Sequence, residues 1–210
     1  MKELIPSLQA IFEKGIDADH VIFTGSSSGG AVASLLFYYF AFESNNCLGA
    51  RKRSLITFGS PPVTAQNLTT RAEELDTVRS VLAFVNEGDV VTRLCLGYIE
   101  SLMHLYKDYM QEAEETRNLV MTAQVRELPV PSYYQIGRIV LLRSSLESQD
   151  ITTPGCLELS YADFSRLLWC GTSVHKGSTY SKRVAGLVRS IDEHILPPQP
   201  LEYGTCVPRR

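Results

Sequence analysis

"VIFTGSSSGGAVASLLFYYF", residues 21–40, decides how the rest of the chain is read. A β-branched and aromatic run ends at Gly25, a knot of serine and glycine follows, and a second apolar run starts at Ala31 and continues to Phe42. The first run, with His20 before it, reads as a short buried strand, and the second as a buried helix. A chain that leaves a strand and enters a helix within a few residues must bend sharply. Gly25-Ser26-Ser27-Ser28-Gly29 has the G-x-S-x-G spacing that such a bend requires. The central Ser27 takes a strained backbone conformation, and small residues two positions away on either side keep the neighbouring backbone from clashing. A Gly/Ser turn that only allows close helix–strand packing has the same composition, whereas a flexible linker has no place between two buried elements.

Working outward, residues 4–13 repeat apolar positions at helical spacing and Gly15 stops them. "SLITFGSPP" (54–62) is a second strand, ended by Gly59 and two prolines. "SVLAFVNEGDVVTRL" (80–94) holds a third, closing in the turn-prone Asn86-Glu87-Gly88-Asp89. Residues 99–127 are polar and acidic with a helical stripe of Leu102, Leu105, Tyr106, Tyr109, Met110 and Ala113. "GRIVLLRS" (137–144) is a fourth strand; 160–170 and 180–191 read as helices, the first opened by Ser160. Strands alternating with helices predict an α/β fold with a mostly parallel sheet. Short apolar strands without polar alternation predict helices on both faces of it. One domain is expected over 1–196, with a Pro-rich tail at 197–210.

Composition narrows the function. A net charge of −3 and 20% charged residues give no basic surface for nucleic acid. No apolar stretch is long enough to span a bilayer, and Met1 to Pro6 lacks the pattern of a secretory signal, so a cytoplasmic location is expected. The five cysteines are scattered without a CxxC pair, which fits free thiols in a reducing compartment; a Cys156–Cys206 bridge is the alternative for an exported chain. Cys170 is expected as a small buried hydrophobe. Histidines and carboxylates show no ligand spacing, so no metal or cofactor is expected. Were Ser27 a nucleophile, the N-terminus of the following helix would offer its dipole and the Ser28 N–H to an oxyanion.

Three segments carry a resemblance. "VIFTGSSSGGAVASLL" resembles the nucleophile segment of the class 3 (fungal-type) lipases, "LITFGSPPV" is similar to that family's next strand, and "FVNEGDVVTRL" to the strand and turn bearing its triad acid. The likeness covers residues 8–95 closely, then thins to the strand "RIVLL" and one histidine segment. It implies an α/β-hydrolase fold with Ser27 as nucleophile, Asp89 as triad acid and a downstream histidine as base, in the chain order of that superfamily. His175, in "GTSVHKGSTYSKRV", is preferred to His194; His20 and His104 lie before the last strand. Each residue has a plainer reading alone, Asp89 as a turn residue and His175 as a surface loop residue. They gain meaning jointly, because a serine hydroxyl needs a base and the imidazole needs a carboxylate to hold its tautomer.

The chain departs from the family where Ser26 replaces the usual histidine and Ser28 the usual leucine. Only some twenty residues, mostly one helix, precede the nucleophile strand, so the domain is expected to be shortened at its N-terminus. The second oxyanion donor is then unassigned, and a sheet edge is left open to a homo- or hetero-oligomeric partner. Two functions remain open: hydrolysis of a carboxylic ester, with a lipid or small ester as substrate, or a lipase-like scaffold acting by protein association. Met103, Tyr106, Tyr109 and Met110 are expected either to cover an acyl pocket or to pack as ordinary core.

Overall fold

The computed structural model describes residues 4–14, 18–43, 48–115, 131–143 and 155–193. The strands are β1 (His20–Ser26), β2 (Lys52–Phe58), β3 (Val78–Asn86), β4 (Arg138–Arg143) and β5 (Gly155–Leu159). The helices are α1 (Leu4–Glu13), α2 (Ser28–Tyr38), α3 (Thr69–Glu73), α4 (Leu96–Glu115), α5 (Tyr161–Arg166) and α6 (Gly177–Glu193). The strands form one sheet in the order β1-β2-β3-β4-β5; β1 with β2 and β2 with β3 pair parallel, β4 with β5 antiparallel. This is the α/β architecture that the alternation of elements implies. Sequence reading missed β5, a five-residue strand carrying Glu158, and assigned no helix at α3. The tail at 197–210, His194 and Cys206 lie outside the described residues.

The described residues cluster into two compact units, one running to Phe84 and including Tyr133–Arg138, the other holding Val85–Ser132 and everything from Ile139 on. In the first unit, β1 and β2 run in unbroken register from His20↔Lys52 to Ser26↔Phe58. Phe23 meets Phe37 edge-on at 5.9 Å and stacks on Phe40 at 5.8 Å. Ala33, Phe37, Leu55, Leu68, Ala72, Val81 and Ile136 make its core. His20 is occupied structurally, its Nε2 lying 2.9 Å from Ser54 Oγ, which also accepts from Ser80 Oγ.

Two burial expectations are corrected here. β1 is not a buried strand: Ile22, Thr24 and Ser26 are exposed while Val21, Phe23 and Gly25 are half-buried. The strand stands at the end of the sheet order and presents alternate side chains to opposite faces, only one of which carries the Phe23 packing. Nor is α2 buried all round. Phe37 is fully buried, but Val32 is 54% exposed and Leu35 45%, so an apolar sequence here folds as a one-sided helix. A π-helical turn at Tyr39–Glu43 extends it and keeps Phe40 in the core.

In the second unit, Val85, Ile139, Leu141, Leu159, Phe164 and Trp169 form the core. Ser160 caps α5 by accepting the Asp163 N–H, but the helix ends at Arg166, short of the predicted 170. The residues after it are tied instead to Arg93, whose buried guanidinium donates to the Leu167 and Ser165 carbonyls and lies over the rings of Tyr98 (4.3 Å) and Phe164. With Trp169 turned inward, Cys170 is exposed rather than buried. Cys95, just before α4, and Tyr98 in its first turn are buried, and the Tyr98 hydroxyl donates to the Trp169 carbonyl at 2.8 Å. That contact sets the rotation of the helix, leaving Met103 and Tyr106 exposed instead of packed in a core; the side chains of Tyr109 and Met110 lie outside the described residues.

One-sided burial of α2 has a measurable consequence. Phe37→Ala is expected to cost about 3–5 kcal/mol, whereas Val32→Ala on the exposed side should change stability by less than about 0.5 kcal/mol. Urea denaturation of the two variants distinguishes this helix from one buried on all sides, for which both substitutions would be costly.

Candidate active site

Ser27 lies between the last residue of β1 and the first of α2. Its backbone has φ 55° and ψ −128°, the only positive φ of a non-glycine residue among the described residues. Such a conformation is costly, on the order of 1–3 kcal/mol, and persists only where its surroundings enforce it. Here the Ser27 N–H donates to the Phe58 carbonyl of β2 at 2.9 Å, and the Ser27 carbonyl accepts the N–H groups of Gly30 (2.9 Å) and Ala31 (3.2 Å). The serine is thus pinned to the neighbouring strand through one backbone group and to the first turn of α2 through the other. Ser28, the first residue of that helix, is exposed.

The glycine requirement differs in detail from the sequence reading. A Cβ on Gly25 would lie 2.3 Å from the Gly29 carbonyl oxygen, so the chain before the bend touches the backbone after it. A Cβ on Gly29 would meet nothing within 4 Å, whereas one on Gly30 would come within 2.8 Å of Ser60 Cβ. The close approaches therefore need glycine at 25 and 30. Position 29 contributes its backbone surface rather than its missing side chain.

Asp89 and His175 are brought together in the second unit. Asn86 to Asp89 form a tight turn closed by the Asp89 N–H on the Asn86 carbonyl (3.0 Å), with Gly88 at φ 86°, a conformation glycine adopts freely. Asp89 does close a turn, yet its side chain is fully buried. Oδ2 accepts from His175 Nδ1 at 2.9 Å and Oδ1 lies 3.2 Å from the same nitrogen. Oδ1 also accepts the Val91 N–H at 2.9 Å. A carboxylate on Nδ1 fixes which ring nitrogen carries the proton. His175 ends a short 3₁₀ turn, Ser173–His175, and its side chain is 22% exposed. His104 is exposed on α4.

Sequence reading missed the residues that hold this pair. Tyr180, in the first turn of α6, donates its hydroxyl to Asp89 Oδ2 at 2.7 Å and accepts the Asn86 N–H at 2.8 Å. Burial, and then the adjacent Asp89 charge, raise the phenol far above its ordinary range, so it stays protonated and a donor. Asn86, fully buried, donates from Nδ2 to the carbonyl of Val174, the residue before His175, at 2.7 Å. Arg183, one turn beyond Tyr180, donates to Asn86 Oδ1 (3.0 Å) and to the Leu142 carbonyl (2.8 Å), and burial lowers its guanidinium below the usual range. The available signal was faint: a Tyr and an Arg three apart at the start of the helix that follows His175.

A sharp strand–serine–helix bend on a mostly parallel sheet, with an aspartate after a later strand paired to a histidine, is the architecture of the α/β-hydrolase superfamily. Residues 1–98 match the family model of lipase (class 3). The matched stretch contains Ser27, Ser28 and Asp89 and ends before His175. No curated protein matches the chain. No helix among the described residues is long and apolar enough to cross a membrane.

The bend makes opposite demands on its glycines. Gly25→Ala should destabilise the fold by about 2 kcal/mol or more, while Gly29→Ala should be neutral or stabilising by up to about 1 kcal/mol, since alanine favours a helix and has room there. Thermal melts of the two single variants check the contrast.

Proposed function

We propose that the protein is a serine hydrolase that cleaves carboxylic esters, with lipid acyl esters the favoured substrate class. The observation that carries this reading is the strained backbone of Ser27, the sole such non-glycine position among the described residues. Strain of that kind, at a bend from strand to helix, is how this fold presents a hydroxyl. The buried Asp89 on His175 Nδ1 and the class 3 lipase match over residues 1–98 support the same reading.

In this proposal Ser27 Oγ attacks the ester carbonyl carbon while His175, through Nε2, takes its proton. The tetrahedral oxyanion is met by the Ser28 N–H, one of the first-turn amides that an α-helix leaves without an intrahelical partner. Collapse expels the alcohol, protonated by the imidazolium, and leaves an acyl group on Ser27. Water, deprotonated by His175, then attacks the acyl carbon, and the serine leaves with the proton as the carboxylic acid is released. Asp89 holds the ring in the tautomer that makes each transfer possible. The mechanism needs neither metal nor cofactor.

A scaffold role remains a second proposal, favoured by the position of β1 at the end of the sheet order with Ile22 54% exposed on it. The two readings part on one experiment. As a hydrolase, the purified protein turns over short and medium p-nitrophenyl esters and reacts covalently with a fluorophosphonate. Ser27→Ala should then abolish labelling and lower turnover about a thousandfold or more, with His175→Ala similar. Labelling that survives Ser27→Ala removes the nucleophile assignment. A stable complex untouched by that substitution, without turnover in the native protein, selects the scaffold.

A further inference from the structure

The buried acid at the centre of this site is shared. Asp89 Oδ2 accepts two side-chain hydrogen bonds at once, from His175 Nδ1 at 2.9 Å and from the Tyr180 hydroxyl at 2.7 Å. The phenol is held in place independently of His175, because its oxygen also accepts the Asn86 N–H at 2.8 Å and its side chain is buried. Two donors on one carboxylate oxygen compete for its electron density, and each weakens the basicity that the other feels. We propose that Tyr180 is a positioning residue that tempers the basicity of His175 by sharing the Oδ2 oxygen of Asp89 with it.

The surrounding charges allow the effect to be isolated. Arg183 reaches Asn86 and the Leu142 carbonyl rather than Asp89 itself, and Glu87, in the turn, is paired with Arg143 of β4 at 3.4 Å. Val91 supplies a backbone N–H to Oδ1, which no side-chain substitution at 180 removes. Lys176, the residue after His175, is exposed. Among the described residues, His175 and Tyr180 are the ionisable side chains that lie directly on the Asp89 carboxylate. The phenol remains protonated over any pH at which the protein would be assayed, so its donation is constant while the imidazole titrates.

Exchanging the strength of this donor should therefore move the ring in a predictable direction. In Tyr180→Phe the ring volume is retained and the donor lost; the carboxylate then attracts the imidazolium more strongly, and the titration midpoint of the His175 ring rises by about 0.5–1 pH unit. Site-specific 3-fluorotyrosine at position 180 is a more acidic phenol and a stronger donor, and it lowers the midpoint. NMR titration of the full chain, with the His175 resonance assigned by its loss in His175→Gln, reads both. A merely structural tyrosine would lower the melting temperature of Tyr180→Phe but would not produce opposite shifts in the two proteins. Midpoints that stay put, or that move the same way in both, overturn the proposal; if Tyr180→Phe does not fold, the fluorotyrosine protein alone decides by falling or not falling.

The catalytic meaning of the shift rests on the hydrolase reading, and the two can fail separately. Where esters are turned over, the acid limb of the pH–rate profile follows the ring in both proteins. Opposite shifts without turnover in the native protein keep the tempering role and discard the hydrolase; turnover with an unmoved ring does the reverse.

Discussion

The contact between Gly25 and the backbone of Gly29 is the constraint on which the first unit depends. It lets the chain pass from β1 to α2 through a single non-helical residue, and that residue, Ser27, takes up the resulting distortion. Hydrogen bonds then hold the distortion in place. The Ser27 N–H completes the β1–β2 pairing one step beyond Ser26↔Phe58, and its carbonyl starts the helix. Neither strand register nor helix start can change without releasing the serine. The core reinforces the arrangement from below, where Phe23 of β1 meets Phe37 and Phe40.

The second unit solves a different problem, the burial of an acid. A fully buried carboxylate is costly unless its oxygens are satisfied, and each Asp89 oxygen is. The partners come from the turn itself, from the loop after α5 and from α6. Asn86 links them, since its backbone reaches Tyr180, its amide nitrogen reaches the Val174 carbonyl, and its amide oxygen receives Arg183. Tyr180 and Arg183 lie three residues apart and so on one face of their helix. The helix that follows His175 in sequence thus also braces the residue before it.

How much of this could be read from residues alone varies with the range of the interaction. β1, β2, β3 and β4 were legible because β-branched and aromatic runs stop at glycine and proline, and the bend was legible because its glycine spacing is a local steric demand. Burial was not. "HVIFTG" has the composition of a covered strand, yet only the face that carries Phe23 is packed, which leaves Ile22 exposed. The rotation of α4 was hidden for a similar reason: a hydrogen bond from Tyr98 to the backbone of Trp169, 71 residues away, outweighs the helix's own apolar pattern. Of the candidate site, Asp89 and His175 could be paired only through the family resemblance, since 86 residues separate them. Tyr180 looked like an ordinary first residue of a helix, because nothing local marks a hydroxyl whose partners lie 91 and 94 positions back.

One backbone stitch bears on how the acid and the ring fluctuate. The Gly171 N–H donates to the Gly88 carbonyl at 3.0 Å, and the Val90 N–H donates back to the Gly171 carbonyl at 3.2 Å, so the segments flanking Asp89 and leading to His175 are laced together like a short parallel ladder. Neither segment can peel outward alone. An excursion that breaks the lacing also strips the imidazole from its carboxylate and the Val174 carbonyl from Asn86, and it opens a buried anion to water. Aspartate and histidine consequently belong to one cooperative opening unit, present together or lost together, with slow amide exchange at 90 and 171 as its signature.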